Sequence, residues 1–128
     1  MRVISHGIDL VECKRIKELA GRHRQRFLDR VFTAVEQEYC RKNGKREIEH
    51  LAGRFAVKEA VMKILGTGWQ NGIAWSDIET RNGVSGKPTV SLSGKVKEIA
   101  DDLGIEEISI SITHAGGLAI ASAIAIGS

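Results

Sequence analysis

Two carboxylates stand where a folding chain has reason to avoid them. Glu59 falls inside a segment, roughly Arg46 to Leu65, whose apolar residues recur at helical spacing. Counted at about 100° per residue from Ile48, the side chains of Leu51, Ala52, Phe55, Ala56 and Met62 lie within roughly 80° of one direction. Glu59, at about 20°, sits in the middle of that stripe. Burying an unpaired charge costs on the order of several kcal/mol, so Glu59 must be neutralised, paired or bound to a cation. Lys63, at about 60° on the same face, offers an ordinary i,i+4 pair worth about 0.2–0.5 kcal/mol. Asp9 poses the same question on a strand. It shares a face with Ser5 and Gly7, small residues that leave room for a ligand; the plain alternative is an aspartate capping the helix that starts near Glu12. Brought together, Asp9 and Glu59 would supply two hard oxygen ligands. Magnesium is typically held by one or two carboxylates together with substrate phosphates and water, so the pair suits phosphate transfer.

Other residues of chemical interest are less specific. Gly66-Thr67-Gly68 and Gly86-Lys87-Pro88 are short glycine-containing loops, the second carrying its own lysine, but neither a P-loop nor a dinucleotide fingerprint is present. Ser111, Thr113 and His114 line a strand and its end, where they could donate to a phosphate or simply form a solvated face. His23 and His50 have no partners at metal spacing and read as surface residues.

The elements that must position these groups follow from periodicity and stop signals. Arg2 to Val11 reads as a strand and Glu12 to Arg24 as a helix with Ile16, Leu19 and Ala20 beneath a basic face. Thr33 and Glu36 have capping-box spacing, predicting a helix to about Lys42 before Asn43-Gly44. The helix from Arg46 to Leu65 ends at Gly66 as a C′ residue. It is also apolar at Val57, Val61, Ile64 and Leu65 on its other side, which predicts burial in a large core or a subunit interface. Strands are expected over Ile73 to Thr80, Pro88 to Leu92, a segment around Ile108, Ile110 and Ile112, and Leu118 to Ile126. Ser93 is placed to cap a helix from Gly94 to Leu103. The order predicts an α+β fold, a largely antiparallel sheet packed on a long central helix.

Composition narrows the classes. The chain has 128 residues, 42% hydrophobic and 27% charged, which fits one globular domain spanning 1–128 and excludes a disordered or fibrous chain. Cys13 and Cys40 are too few for a disulfide framework. The opening MRVISHGIDLVE lacks an apolar leader, and the longest apolar stretch is about half a membrane span, so a cytoplasmic protein without membrane contact is expected. The net charge is only +3, but Lys14, Arg15, Lys17, Arg22, Arg24, Arg26 and Arg30 oppose only Glu18 and Asp29. Such a localised positive field steers an acidic partner.

The combination resembles a known family. Gly7-Ile8-Asp9-Leu10-Val11-Glu12 with Lys14-Arg15-Ile16 is similar to the opening motif of holo-acyl-carrier-protein synthases, the short 4′-phosphopantetheinyl transferases. Arg54-Phe55-Ala56-Val57-Lys58-Glu59-Ala60, Lys63 and Gly66-Thr67-Gly68 resemble the second motif. Asp77-Ile78-Glu79, Gly86-Lys87-Pro88 and Ser109 to His114 resemble later landmarks in the same order, so almost the whole chain is covered. Departures are Ser5-His6, Trp69 where an aliphatic residue is usual, and Ala115-Gly116-Gly117 after His114. The resemblance implies transfer of phosphopantetheine from coenzyme A to a serine of apo acyl carrier protein, with release of adenosine 3′,5′-bisphosphate in support of fatty acid biosynthesis. It implies a homotrimer with interfacial active sites, Mg2+ on Asp9 and Glu59, and Lys63 as a further catalytic charge. Carried over by motif position, Arg54, Gly66, Lys87, Pro88, Ser111, Thr113 and His114 would contact coenzyme A. Arg15, Arg22 and Arg26, with Lys14 and Arg30 behind them, would meet the carrier protein.

Two rivals use the same residues. A nucleic-acid-binding module would explain the basic segment but leaves Asp9 and Glu59 without purpose and lacks stacking aromatics, Tyr39 being the only tyrosine. A metal-dependent phosphodiester hydrolase would need the same two carboxylates and differs in its products.

Overall fold

The computed structural model describes residues 1–70 and 72–128. The chain opens with β1 (Arg2–Glu12), followed by α1 (Cys13–Arg22), α2 (Arg24–Val31) and α3 (Ala34–Lys42). A 3-10 turn at Gly44–Arg46 leads into α4 (Glu47–Leu65), and a second at Trp75–Asp77 leads into β2 (Ile78–Asn82). The remainder is β3 (Pro88–Leu92), α5 (Gly94–Asp102), β4 (Ile105–Ala115) and β5 (Leu118–Gly127). A three-stranded antiparallel sheet has the order β1-β5-β4, and a two-stranded antiparallel ribbon joins β2 to β3. The class is the expected α+β.

The site depends on how α4 meets the sheet. On β5, Ala119, Ala121, Ala123 and Ala125 alternate inward and are fully buried. This row of methyl groups lets the helix lie close over the central strand. On β1 the approach is closer still. A Cβ added to Gly7 would stand 2.2 Å from the Ala60 carbonyl oxygen and 3.3 Å from Lys63 Cβ. The space beside Asp9 expected for a ligand is therefore filled by the backbone of α4.

Nearly all of α4 is buried inside the one chain, Leu51 to Lys58 without a break. The apolar circumference of α4 thus needs no second subunit and carries no argument for one. Its C-terminus closes at Gly66, whose φ of 72° is left-handed and whose N–H returns to the Met62 carbonyl at 3.0 Å.

Several boundaries differ from expectation. The predicted helix to Arg24 is two helices, broken at His23 (φ −136°, ψ 58°). The predicted strand from Ile73 starts only at Ile78, because the Asp77 carboxylate accepts the Ala74 N–H at 3.2 Å and turns the chain there. Ser93 makes no side-chain cap to α5; its own N–H bonds the Asp77 carbonyl at 2.9 Å instead. The capping box at Thr33 and Glu36 is formed as read. Leu19, expected beneath the basic face, is exposed.

Candidate active site

Asp9 lies on β1, an outer strand of its sheet, and projects toward α4. It does not cap α1, whose N-cap is Glu12 with no side-chain bond. Its Oδ1 stands 3.2 Å from Lys63 Nζ, which also donates to the Ile8 carbonyl at 2.7 Å. Lys63 therefore clamps α4 to the strand carrying Asp9 rather than completing the i,i+4 pair with Glu59. The Lys63 side chain is half exposed, and such a pair contributes only about 0.2–1 kcal/mol to folding. A ligand can displace it at little cost.

Glu59 is half-buried, one turn before Lys63. Burial pushes its carboxyl above the ordinary range, the negative charge of Asp9 adds to this, and the Trp69 hydrogen bond, Arg15 and Lys63 oppose it. The two carboxylates thus lie close enough to repel each other. Trp69 Nε1 donates to Glu59 Oε1 at 3.3 Å, a contact the sequence did not announce. Arg15, read as a carrier-protein contact, has its guanidinium 5.6 Å from the centre of the Phe55 ring and also acts on Glu59, so the basic face begins at the site itself. From there it continues through exposed Arg22 on α1 to exposed Arg26 on α2. Arg24 is drawn off by Glu47 at 2.7 Å.

The remaining predicted residues are spread over the fold. Arg54 is buried, hydrogen-bonded to the Asn82 side chain, with its guanidinium 4.1 Å from the centre of the Tyr39 ring. Lys87 and Pro88 lie at the turn into β3, and nothing lies within 4 Å of a Cβ added to Gly66. Ser111 and Thr113 pair with Ser122 and Ile120 on the sheet face turned away from α4, whereas Asp9 pairs with Ala121 on the face beneath it. One chain therefore does not bring Ser111 or Thr113 to Asp9. His114 points inward, with Nε2 2.8 Å from the Glu49 carbonyl. Because a carbonyl only accepts, Nε2 carries the proton, leaving Nδ1 for any ligand. His114 and Arg46 border a pocket of about 280 Å³ with Cys13, Glu49 and Gly117. His50 is not a surface residue. It is packed between Tyr39 and His114, and burial, followed by the charges of Arg54, Arg46 and His114, lowers its proton affinity.

The arrangement is one of two repelling carboxylates and a lysine beside a basic helix face, with no nucleophile among them. The model of the 4′-phosphopantetheinyl transferase superfamily matches residues 5–121. The chain belongs to this family. It is 47% identical over 121 residues, 94% of this chain and 93% of the relative, to a holo-[acyl-carrier-protein] synthase of Caldanaerobacter subterraneus subsp. tengcongensis. Among solved structures it resembles the holo-[acyl-carrier-protein] synthase of Neisseria meningitidis (TM-score 0.87, 29% identity, 98% of this chain and 99% of that one). It also resembles the Helicobacter pylori synthase in complex with coenzyme A (TM-score 0.80, 34% identity, 94% and 99%). For a phosphopantetheinyl transferase the absence of a nucleophile is consistent chemistry, since the attacking hydroxyl belongs to the acceptor.

Proposed function

We propose that this chain, as one domain spanning 1–128, is a holo-acyl-carrier-protein synthase using a divalent cation, Mg2+ first, in the cytoplasm. It transfers 4′-phosphopantetheine from coenzyme A to a serine of apo acyl carrier protein. The observation that carries the reading is the meeting of Asp9, Glu59 and Lys63 at the outer edge of β1, next to Arg15.

The donor set fits the cation. Among the described residues no three His, Cys, Asp or Glu side chains converge, so the protein offers no closed cage. Two carboxylates leave coordination positions open for phosphate oxygens and water, as magnesium in phosphate sites requires. Asp9 and Glu59 would hold the ion, which when bound supplies positive charge against the pyrophosphate. Lys63, fixed to the Ile8 carbonyl, adds a positioned charge for the same oxygens. Glu59, at the same place, is the group to take the serine proton, directly or through water. The serine oxygen forms its bond to the phosphorus bearing pantetheine, and the pyrophosphate bond to adenosine 3′,5′-bisphosphate breaks. Gly66 lets that phosphate chain approach the backbone, and Arg54, Lys87, Pro88 and His114 serve the nucleotide end.

A homotrimer is part of the reading, on different grounds from the long helix. Ile8 and Leu10 are 56% and 55% exposed on the sheet face that also carries exposed Ile124, Ser111 and Thr113. A second copy covering that apolar face supports a site shared between subunits, with Ser111 and Thr113 donated across the contact. Among the described residues no helix is long and apolar enough to cross a membrane.

The test is intact-mass analysis of apo carrier protein incubated with the chain, coenzyme A and Mg2+. The carrier should gain one phosphopantetheine, and Asp9→Ala or Glu59→Ala should abolish the gain while the oligomer survives. Free phosphopantetheine without a heavier carrier would establish a hydrolase instead. Near-wild-type turnover in either variant would remove the metal assignment.

A further inference from the structure

Glu59 needs more than a cation to become a useful ligand, because a carboxylate on a flexible stem must be aimed. Trp69 Nε1 reaches Glu59 Oε1 at 3.3 Å. The indole ring is fixed on its other side by stacking on Trp75, with centroids 3.7 Å apart, and Trp75 stacks on Phe55 at 5.1 Å. Phe55 is on α4, one turn before Glu59, so the chain of contacts from Phe55 through Trp75 and Trp69 to Glu59 begins and ends on the same helix. Trp75 is itself tied to α4, since Lys58 Nζ donates to its carbonyl at 3.1 Å.

The donor type matters. An indole N–H only donates and is uncharged. It occupies one lone pair of Oε1, leaving Oε2 and the rest of Oε1 free, and it does not repel a cation as a lysine or arginine would. Outer donors of this kind commonly change metal affinity by about 10–100-fold. We propose that Trp69 is a positioning residue that holds Glu59 in its metal-ligating orientation. Rigidity comes from the Trp69–Trp75–Phe55 stack. The proposal rests on Asp9 and Glu59 holding a divalent cation.

Trp69 and Trp75 are the only two tryptophans of the chain, so all indole emission arises beside Glu59. The experiment titrates Mn2+ into the coenzyme A-loaded protein, with free Mn2+ followed by paramagnetic resonance and tryptophan emission read in parallel. Trp69→Phe keeps a ring for the stack and loses the N–H. The 3.3 Å bond is at the long end, so a loss of Mn2+ affinity near tenfold is expected. The KM for carrier protein should be unchanged, and turnover should recover at high metal. In the unaltered protein Mn2+ should alter the emission, and Glu59→Gln should remove that response. Wild-type Mn2+ affinity in Trp69→Phe, with affinity lost in Glu59→Gln, would overturn the role of Trp69 and leave the metal site standing. Equal Mn2+ affinity in Glu59→Gln and the unaltered protein would overturn the metal site and this inference together.

Discussion

Gly7→Ala is the smallest change that should disturb fold and site at once. The added methyl would meet the Ala60 carbonyl oxygen at 2.2 Å, while real Cβ contacts essentially never fall below 3.0 Å. The obstructing atom is helix backbone, so no rotamer change relieves the clash, and β1 must separate from α4 by about 0.8 Å or more. Overpacking of this kind costs about 1–3 kcal/mol, a fall in Tm of roughly 5–15 °C for a chain of this size. The displacement is aimed at the proposed site, because Asp9 is two residues along the strand and Lys63 is the other contact of that methyl. Misplacement by about 1 Å at a catalytic centre can cost about 100-fold in rate, so turnover should fall by more than the lost stability explains. Transfer is followed by intact mass at a temperature where the variant remains folded by circular dichroism. Gly21→Ala serves as control, since nothing lies within 4 Å of that position on exposed α1 and alanine favours a helix by about 1 kcal/mol. Wild-type stability and turnover in Gly7→Ala would refute the packing of β1 against α4 described above.

The fully buried Lys58–Glu36 pair, 2.9 Å apart, should be unforgiving: Lys58→Met leaves a buried carboxylate short of its cation and should cost about 3–5 kcal/mol in urea denaturation, with Glu36→Leu added in the double variant restoring part of it. Loss below about 1 kcal/mol in the single variant would contradict that geometry. Glu59→Gln should stabilise the metal-free protein near pH 7. Its carboxyl is raised in the folded state, so the unfolded chain releases that proton first and wild-type stability falls as pH rises through the raised value; Tm measured against pH should show the advantage vanish below the ordinary carboxylate range. Arg22→Glu with Arg26→Glu, both exposed and away from Glu59, should lower kcat/KM for carrier protein about three- to tenfold and flatten its salt dependence while the KM for coenzyme A stays fixed. An unaltered carrier-protein dependence would reduce this face to solvated surface.

What the sequence made legible were features with local causes. The strand marked by Ile108, Ile110 and Ile112, the Thr33–Glu36 box and the glycine stop after Leu65 each depend on residues a few positions apart. Asp9 and Glu59 were legible because a charge inside an apolar pattern needs a partner wherever the chain goes. Features with distant partners were hidden. The burial of Lys58 is set by Glu36, 22 positions earlier, which no local pattern announces. His50 looks exposed until Tyr39 and His114 close over it. The break at His23 has no proline and follows Gly21 by two residues, so periodicity ran straight through it. Trp69 was visible only as a bulky departure, since its hydrogen bond to Glu59 depends on where the turn after Gly66 sends the chain.

The alternation of β1 ties assembly to chemistry. Asp9 turns toward α4, and Ile8 and Leu10 on either side of it turn outward, exposed. Lys63 reaches across to the Ile8 carbonyl, so the position of that lysine follows the strand directly. A copy that covers Ile8 and Leu10 in the proposed trimer therefore lies one residue from the carboxylate on either side. The exposed hydroxyls of Ser111 and Thr113, on the outer face in a single chain, would meet the neighbouring copy in such a contact. A 128-residue chain can then build a site for a long nucleotide substrate without enclosing it. In the proposed trimer one copy would supply the carboxylates and lysine, and its neighbour a wall.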